Sequence, residues 1–400
     1  MRISTSQLYN LSLAAMQSQQ AKLQKTELQI ASGLRILQPS DDPAGAVQVL
    51  NLNTNMGLVD QYERNASQAG AMLGYEESVL ENVNSTLQRI RELVVQANNP
   101  INHDGARKDI GLEIQQRLEE LLVLGNTRDQ NGEYLFAGNR TDQRPFTEQN
   151  GTYTYQGDAG TRQIQVGEGA KVAIRESGAT LFMQVPTGNG TIAVSPEAGN
   201  TGTLLVGQYG TRKDYVEDTY QVRFFLQGSD LHYEVTDSAA PPTVVDGGPY
   251  AQGKSLAFNG IDIALSGAPQ DGDTLTVEPA GSDSLFAMVD RIAAALITPT
   301  ANTADRVKVQ AAMAQGLANL DQALEGVNVR RASIGARLNN IDTASSINQD
   351  FRLQLDTVKS QVQDLDYAEA LTRFNLQLVS LQAAQQAFIK TSELSLFNYL

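Results

Sequence analysis

Near the start of the chain, apolar residues recur every seven positions, at Tyr9, Met16, Leu23, Ile30 and Leu37, with Leu13 and Leu34 adding a second edge. A stripe of that period is the mark of a helix that buries one seam against another helix. The series ends in Gln38-Pro39-Ser40-Asp41-Asp42-Pro43. Pro39 disfavours helix at Gln38, while Ser40 or an Asp can cap a following helix that has Pro43 in its first turn. From there Leu52, Val59, Ala66, Leu73, Leu80, Leu87 and Val94 continue at seven, with Val83, Ile90 and Ala97 beside the later members. This predicts one helix over 42–98, about 80 Å long at 1.5 Å per residue. Gly57, Gly70 and Gly74 weaken it locally, and Asn98-Asn99-Pro100 ends it. A shorter helix over 104–124, with Ile110, Ile114, Leu118 and Leu121 on one face, is expected to pair antiparallel with it.

Between 131 and 281 the texture changes to short Val- and Tyr-bearing runs broken by Gly, Asp, Asn and Pro, which reads as β structure. Thr152 to Tyr155, the turn Gly157 to Gly160, and then Ile164 and Val166 read as a hairpin, with Lys171 to Ile174 as a third strand. Further strands are expected at Tyr220–Leu226, His232–Val235, Ser255–Phe258, Ile261–Leu265 and Thr274–Val277. The stretch from Pro186 to Thr203 is too poor in apolar residues to assign.

Helical spacing returns at Ser284. Met313, Leu320, Val327, Ile334 and Ile341 repeat at seven beside Leu317, Leu324 and Leu338, and the phase is expected to shift to Phe351, Val358 and Leu365. At the end, Tyr367, Phe374, Leu381 and Phe388 recur at seven, interleaved with Leu371 and Leu378. The fold class is therefore multidomain α plus β: long paired N- and C-terminal helices forming a coiled-coil-like bundle, with a central β-rich domain inserted between them. The expected units are an N-terminal axial helix (1–44), the N-terminal half of the bundle (45–130), the β domain (131–282), the C-terminal half (283–347) and a C-terminal axial helix (348–400).

Composition narrows the function. A net charge of −15 argues against nucleic acid, because phosphate binding needs basic clusters. No apolar run approaches the roughly 18 residues of a spanning helix, so membrane insertion is not expected. Residues 1–20 lack the continuous apolar core and cleavage site of a secretory signal. The absence of cysteine rules out disulfides and thiolate chemistry. Only two histidines occur, His103 and His232, neither with metal-ligand spacing around it. Asp41 and Asp42 are better explained as helix caps than as a catalytic pair. Gly167 to Lys171 lacks the spacing of a phosphate-binding loop, and no Gly-x-Ser-x-Gly frame exists. No catalytic residue, cofactor or metal site is expected, and the chain reads as a structural subunit.

Ile30-Ala31-Ser32-Gly33-Leu34-Arg35-Ile36 with Ser40-Asp41-Asp42-Pro43-Ala44-Gly45-Ala46 resembles the N-terminal segment of the bacterial flagellin family. Arg331-Ala332-Ser333-Ile334-Gly335-Ala336-Arg337-Leu338-Asn339 resembles the matching C-terminal helix, and the stretch from Asp366-Tyr367-Ala368-Glu369 to Leu400 the terminal one. Within the family, Glu133-Tyr134-Leu135-Phe136-Ala137-Gly138, Pro145-Phe146, Tyr155-Gln156-Gly157-Asp158 and Arg162-Gln163-Ile164-Gln165-Val166 are similar to the passage into the β domain of a hook-associated member. The ending Leu394 to Leu400 suits such a member too. The block from Phe258 to Thr274 resembles a module shared with hook-associated protein 1 and discriminates less.

The resemblance implies an extracellular axial protein of the flagellum, exported unfolded by the type III pathway with an export chaperone. It would form the junction between hook-associated protein 1 and the flagellin filament, assembling with copies of itself as a ring or helix. The assembly interface is expected at Tyr9, Met16, Leu23, Ile30, Leu37, Tyr367, Leu371, Phe374, Leu378, Leu381 and Phe388. Flagellin itself is the alternative, with the passage from Tyr134 to Val166 as discriminator. An enzyme grafted into the β domain would need convergent carboxylates or metal ligands. A coiled-coil adhesin would form a discrete oligomer without a junction partner.

Overall fold

A computed structural model describes residues 5–99 and 101–397 of the chain. Pro100 and the closing residues Asn398, Tyr399 and Leu400 of the C-terminal motif lie outside the described residues. The chain divides into two compact units, residues 1–64 with 343–400, and residues 65–342.

The first unit is helical. α1 (Thr5–Ser32) and α6 (Tyr367–Phe397) run antiparallel. The Tyr9 and Phe388 rings meet at 5.0 Å at one end, and Leu34 bridges to Asp364 at the other. The seam on α1 carries Met16, Leu23 and Ile30, interleaved with Ser12, Gln19 and Thr26; on α6 it carries Phe374, Leu381 and Phe388, interleaved with Ala370, Gln377 and Ala384. Leu37 is not part of this helix. Gly33, at φ +72°, takes the left-handed conformation that ends α1, so Leu37 sits in the connecting loop and donates its N–H to Asp41 Oδ2 at 3.0 Å. Asp42 then caps α2 (Pro43–Ala97), accepting from Gly45 N at 3.0 Å, and Asp366 caps α6 in the same way through Ala368 N.

Also in this unit, α2 lies beside the end of α5 (Thr303–Gln363), tied by Arg352 to Asp60 and by Ser345 Oγ to Glu63 at 2.8 Å. The heptad phase of α5 does not shift. The buried row Met313, Leu320, Val327, Ile334 and Ile341 continues at the same interval through Asn348 and Leu355, whereas Phe351 is 43% exposed. A polar Asn occupying the core position broke the apolar pattern without breaking the helix geometry.

In the second unit, α2 and α5 are antiparallel, linked by Arg91 to Asp321 at 2.6 Å, Asn84 to Asn328 at 2.8 Å and Arg331 to Glu77 at 2.7 Å. Their interface buries Leu73, Leu80, Leu87 and Val94 of α2 and the α5 row as far as Ile341. Gly70 and Gly74 of α2 have open space where a Cβ would stand, so they cost helix propensity without breaking packing. α3 (Asp104–Gly125) is capped by His103, and α4 (Leu285–Ile297) by Ser284. α3 lies along α4 so closely at Gly111 that a Cβ would come 2.8 Å from Ile297 Cγ1; Arg89 ties α3 to α2 through Glu113 at 2.9 Å.

The β part opens with two hairpins. β1 (Phe146–Gln149) pairs with β2 (Thr152–Tyr155), and β3 (Arg162–Gln165) pairs with β4 (Lys171–Arg175). The expected hairpin between Thr152–Tyr155 and Ile164–Val166 is therefore corrected. Asn150-Gly151, with φ of 54° and 75°, makes a two-residue turn that pairs β2 backwards to Phe146–Gln149 instead. After a π-type turn at Ala179–Met183 come β5 (Val185–Pro186), β6 (Ile192–Pro196), β7 (Leu205–Thr211), β8 (Tyr220–Gln227), β9 (Asp230–Thr236), β10 (Val244–Pro249), β11 (Leu256–Phe258), β12 (Ile261–Ser266), β13 (Thr274–Pro279) and β14 (Ser282–Asp283). A five-stranded sheet, ordered β10-β9-β8-β13-β6, and a three-stranded sheet, β11-β12-β7, enclose a core of Val222, Phe224, Val235, Ile261, Ile263, Leu275 and Val277. The strand β6 lies in the stretch left unassigned above. Its three inner residues, Ile192, Ala193 and Val194, are buried on both faces, so no alternation marks them.

Candidate assembly surface

The residues expected to form an interface divide into two rows. Met16, Leu23, Ile30, Phe374, Leu381 and Phe388 are half-buried in the α1–α6 seam, where they cover one another, and Tyr9 joins them through its ring contact with Phe388 while remaining 52% exposed. Tyr367, Leu371 and Leu378 lie outside the seam and stay exposed. The separation follows from helix geometry. Ala370, Gln377 and Ala384, three residues after or four before the large seam residues, are the ones that turn with them toward α1, leaving Leu371 and Leu378 one position round.

The outward row is longer than the seven-residue periodicity shows. Leu376, Val379 and Ile389 extend it on α6, Leu11 and Leu28 stand out on α1, and Val47, Leu50 and Leu58 on α2. On α5, Ile347, Phe351 and Leu353 are exposed as well, Leu353 at 68%. Each half-exposed Leu or Val retains roughly 1 kcal/mol of unrealised burial, given about 1.5–3 kcal/mol for complete burial. Scattered apolar residues are ordinary on a surface; here they are concentrated on the four helices of the first unit. These further members fall outside the seven-residue spacing that marks Tyr367, Leu371 and Leu378.

The remaining polar groups have structural partners. His103 Nδ1 accepts from Ala106 N at 3.0 Å as the α3 cap, and His232 packs against Phe225 with its Nδ1 3.2 Å from Asp230 O. Asp41 and Asp42 are held below the usual carboxylate range, Asp41 first by a hydrogen bond from Lys25 and Asp42 first by the Gly45 N–H. Gly167 to Ala170 is the turn between β3 and β4, closed by Val166 N to Ala170 O at 2.9 Å. Among the described residues, no group of three or more His, Asp or Glu side chains is placed to hold a metal ion. An open groove of about 650 Å³ along β7, β12 and α5 contains a single carboxylate, Asp262, which is paired with Arg212 at 3.2 Å.

Family-like motif residues do their work inside the second unit. Arg331 grips Glu77, while Arg330 and Arg337 both close on Glu176; Arg175, 1% exposed, closes on Asp129 and Glu133. Arg128 stacks 4.3 Å over the Tyr134 ring. In the middle, Glu76 is buried, and that burial pushes its carboxyl up to about 7 against the pull of Arg330, Arg337 and Arg175. No sequence pattern distinguished Glu76 from the surface glutamates of a long helix.

Comparison with known proteins agrees with this architecture. The family model of the bacterial flagellin N-terminal helical region matches residues 3–141, and that of the flagellin C-terminal helical region matches residues 317–400. Flagellar hook-associated protein 3 of Escherichia coli (strain K12) is 27% identical over 399 residues, covering 100% of this chain and 99% of that protein. The phase 1 flagellin of Salmonella naestved is 37% identical, but over 130 residues, 32% of this chain. The crystal structure of the flagellar junction protein FlgL from Legionella pneumophila superposes with a TM-score of 0.72 at 29% identity, covering 80% of this chain and all of that one. The chain belongs to the bacterial flagellin family, and along its whole length it is similar to flagellar hook-associated protein 3, a structural, non-enzymatic component of the flagellum outside the cell.

Proposed function

We propose that this chain is the subunit that joins hook-associated protein 1 to the flagellin filament, assembling with copies of itself at the hook–filament junction. The observation that carries the reading is the extent of the likeness: end to end with a hook-associated protein 3, but confined to about a third of the chain with a flagellin. The passage from Tyr134 to Val166 supports the same choice. It builds the β1–β2 hairpin and supplies β3 of the next one, so it is an integral part of the fold. The outward rows on α1, α2, α5 and α6, with Tyr367, Leu371 and Leu378 at their centre, are the surfaces that neighbouring subunits cover. The seam residues hold each terminal hairpin together so that those rows are presented.

On this reading the chain leaves the cell unfolded by the flagellar type III route, accompanied by an export chaperone. The absence of cysteine suits such passage. The testing experiment is deletion of the gene in its own cells. Hooks bearing hook-associated protein 1 but no filament, with monomeric flagellin in the medium, support the proposal. Normal filaments in the deletion strain refute it.

A further inference from the structure

Two helix breaks meet in the first unit. α1 gives way to α2 over residues 33–42, and α5 gives way to α6 over residues 364–366. The breaks lie side by side, because Leu34 forms a β-bridge with Asp364 and Leu365 N donates to Gly33 O at 2.9 Å. One residue contacts three of the four helix ends. The Arg35 N–H donates to Gln363 O at 2.7 Å, and its Nη2 donates to Val362 O at 2.6 Å, so it satisfies carbonyls at the end of α5 that no further helical turn can reach. Its Nη1 pairs with Asp42 at 3.2 Å, the residue that caps α2. Its own carbonyl accepts from Gln29 Nε2 at 2.6 Å, and Gln29 is a buried residue in the last turn of α1.

We propose that Arg35 is a clasp, a positioning residue that fixes, within the first unit, the angle between the α1–α6 hairpin and the adjoining 43–64 and 343–363 segments of α2 and α5, while contributing little to the hairpin itself. A cation at a helix C-terminus is favoured by the helix dipole, and the planar guanidinium can serve a carbonyl and a carboxylate together, which an ammonium on a flexible stem does less well. The corners beside the clasp are closely packed: a Cβ at Gly45 would come 2.6 Å from Ile36 Cδ1, and one at Gly33 would come 3.0 Å from the Tyr367 hydroxyl. Lys25, paired with Asp41 at 2.6 Å, braces the loop from the α1 side without touching α5. The clasp is independent of whether the chain assembles at a junction, since it acts within one subunit.

The native absence of cysteine makes the test direct. Spin labels at Gln20→Cys and Gln48→Cys, both exposed, report the α1–α2 corner; labels at Gln20→Cys and Gln382→Cys report the α1–α6 seam. Distance distributions are measured by pulsed electron paramagnetic resonance on the full-length monomer. With Arg35 in place, the corner pair gives one narrow distribution. Arg35→Ala at least doubles its width, Arg35→Lys falls between because it keeps the Asp42 pair, and the seam pair keeps its width in both. A corner distribution as narrow in Arg35→Ala as in the parent overturns the proposal. So does broadening of both pairs together, which would make Arg35 a member of the fold and not a clasp.

Discussion

Changing both Leu371 and Leu378 to Asp separates assembly from folding more cleanly than any seam substitution. The two side chains are 48% and 36% exposed, so in the isolated subunit the new carboxylates remain hydrated, and each change should cost only about 1 kcal/mol of stability, the part of the burial already made. Once a neighbour covers the row, the same carboxylates must be dehydrated without a partner. An unpaired polar group in an apolar contact costs several kcal/mol, more when charged. Even about 4 kcal/mol over the pair weakens each contact nearly a thousandfold, at 1.4 kcal/mol per tenfold. Phe374→Asp is the contrasting change, because Phe374 lies in the α1–α6 seam and its loss should loosen the hairpin in the monomer itself. The assay pairs far-ultraviolet circular dichroism and limited proteolysis of the purified chain with filament counts in cells that carry the variant as sole copy. The double variant should give native spectra, an unchanged proteolytic pattern and no filaments, and Phe374→Asp early cleavage of the termini. Normal filaments on cells with the double variant would show that the outward row is not an assembly surface.

Glu76→Gln should flatten the pH dependence of the second unit. Its folded carboxyl titrates at about 7 against 4.5 in the unfolded chain, so stability from this group is complete below 4.5 and is lost as pH rises through 7. At 1.36 kcal/mol per pKa unit, the loss is of order 3 kcal/mol, and urea denaturation followed by tyrosine fluorescence at pH 5 and 8 should show it in the parent and not in the variant. Gly111→Val overpacks α3 against Ile297 and the Ala293 carbonyl and should destabilise by about 1–3 kcal/mol, read from the same denaturation curves; an unchanged midpoint would mean the helices can part there freely. Gly151→Val, at φ +75° in an otherwise open turn, should cost about 1–2 kcal/mol through backbone strain alone, and a larger loss would point to contacts the turn does not make.

The helices were legible because they obey one rule at length. Each seven-residue row from Val59 to Val94 and from Met313 to Ile341 is buried in the structure, and the caps at Asp42 and Ser284 stand where the chain's short polar residues put them. The failures have physical causes of the same kind. Phe351 is the more hydrophobic residue and so suggests a shifted phase, yet the core position belongs to the polar Asn348. The β1–β2 hairpin was missed although Asn150-Gly151 is a strong turn signal, since its flanking strands have four residues each and alternate weakly. β7 and β10 carry glycines and a bulge, which hide a strand from any periodic search. Of the outward row, Tyr367, Leu371 and Leu378 were legible through their seven-residue spacing, whereas Leu376, Val379, Val47, Leu50 and Leu353 share no simple period across the helices.

The position of the chain on an intact flagellum separates a junction subunit from a filament subunit. Antibody against residues of the β domain, carried on gold and viewed by electron microscopy, should mark one narrow zone where hook meets filament. Gold distributed along the whole filament would make the chain a filament subunit, and the junction account would fall.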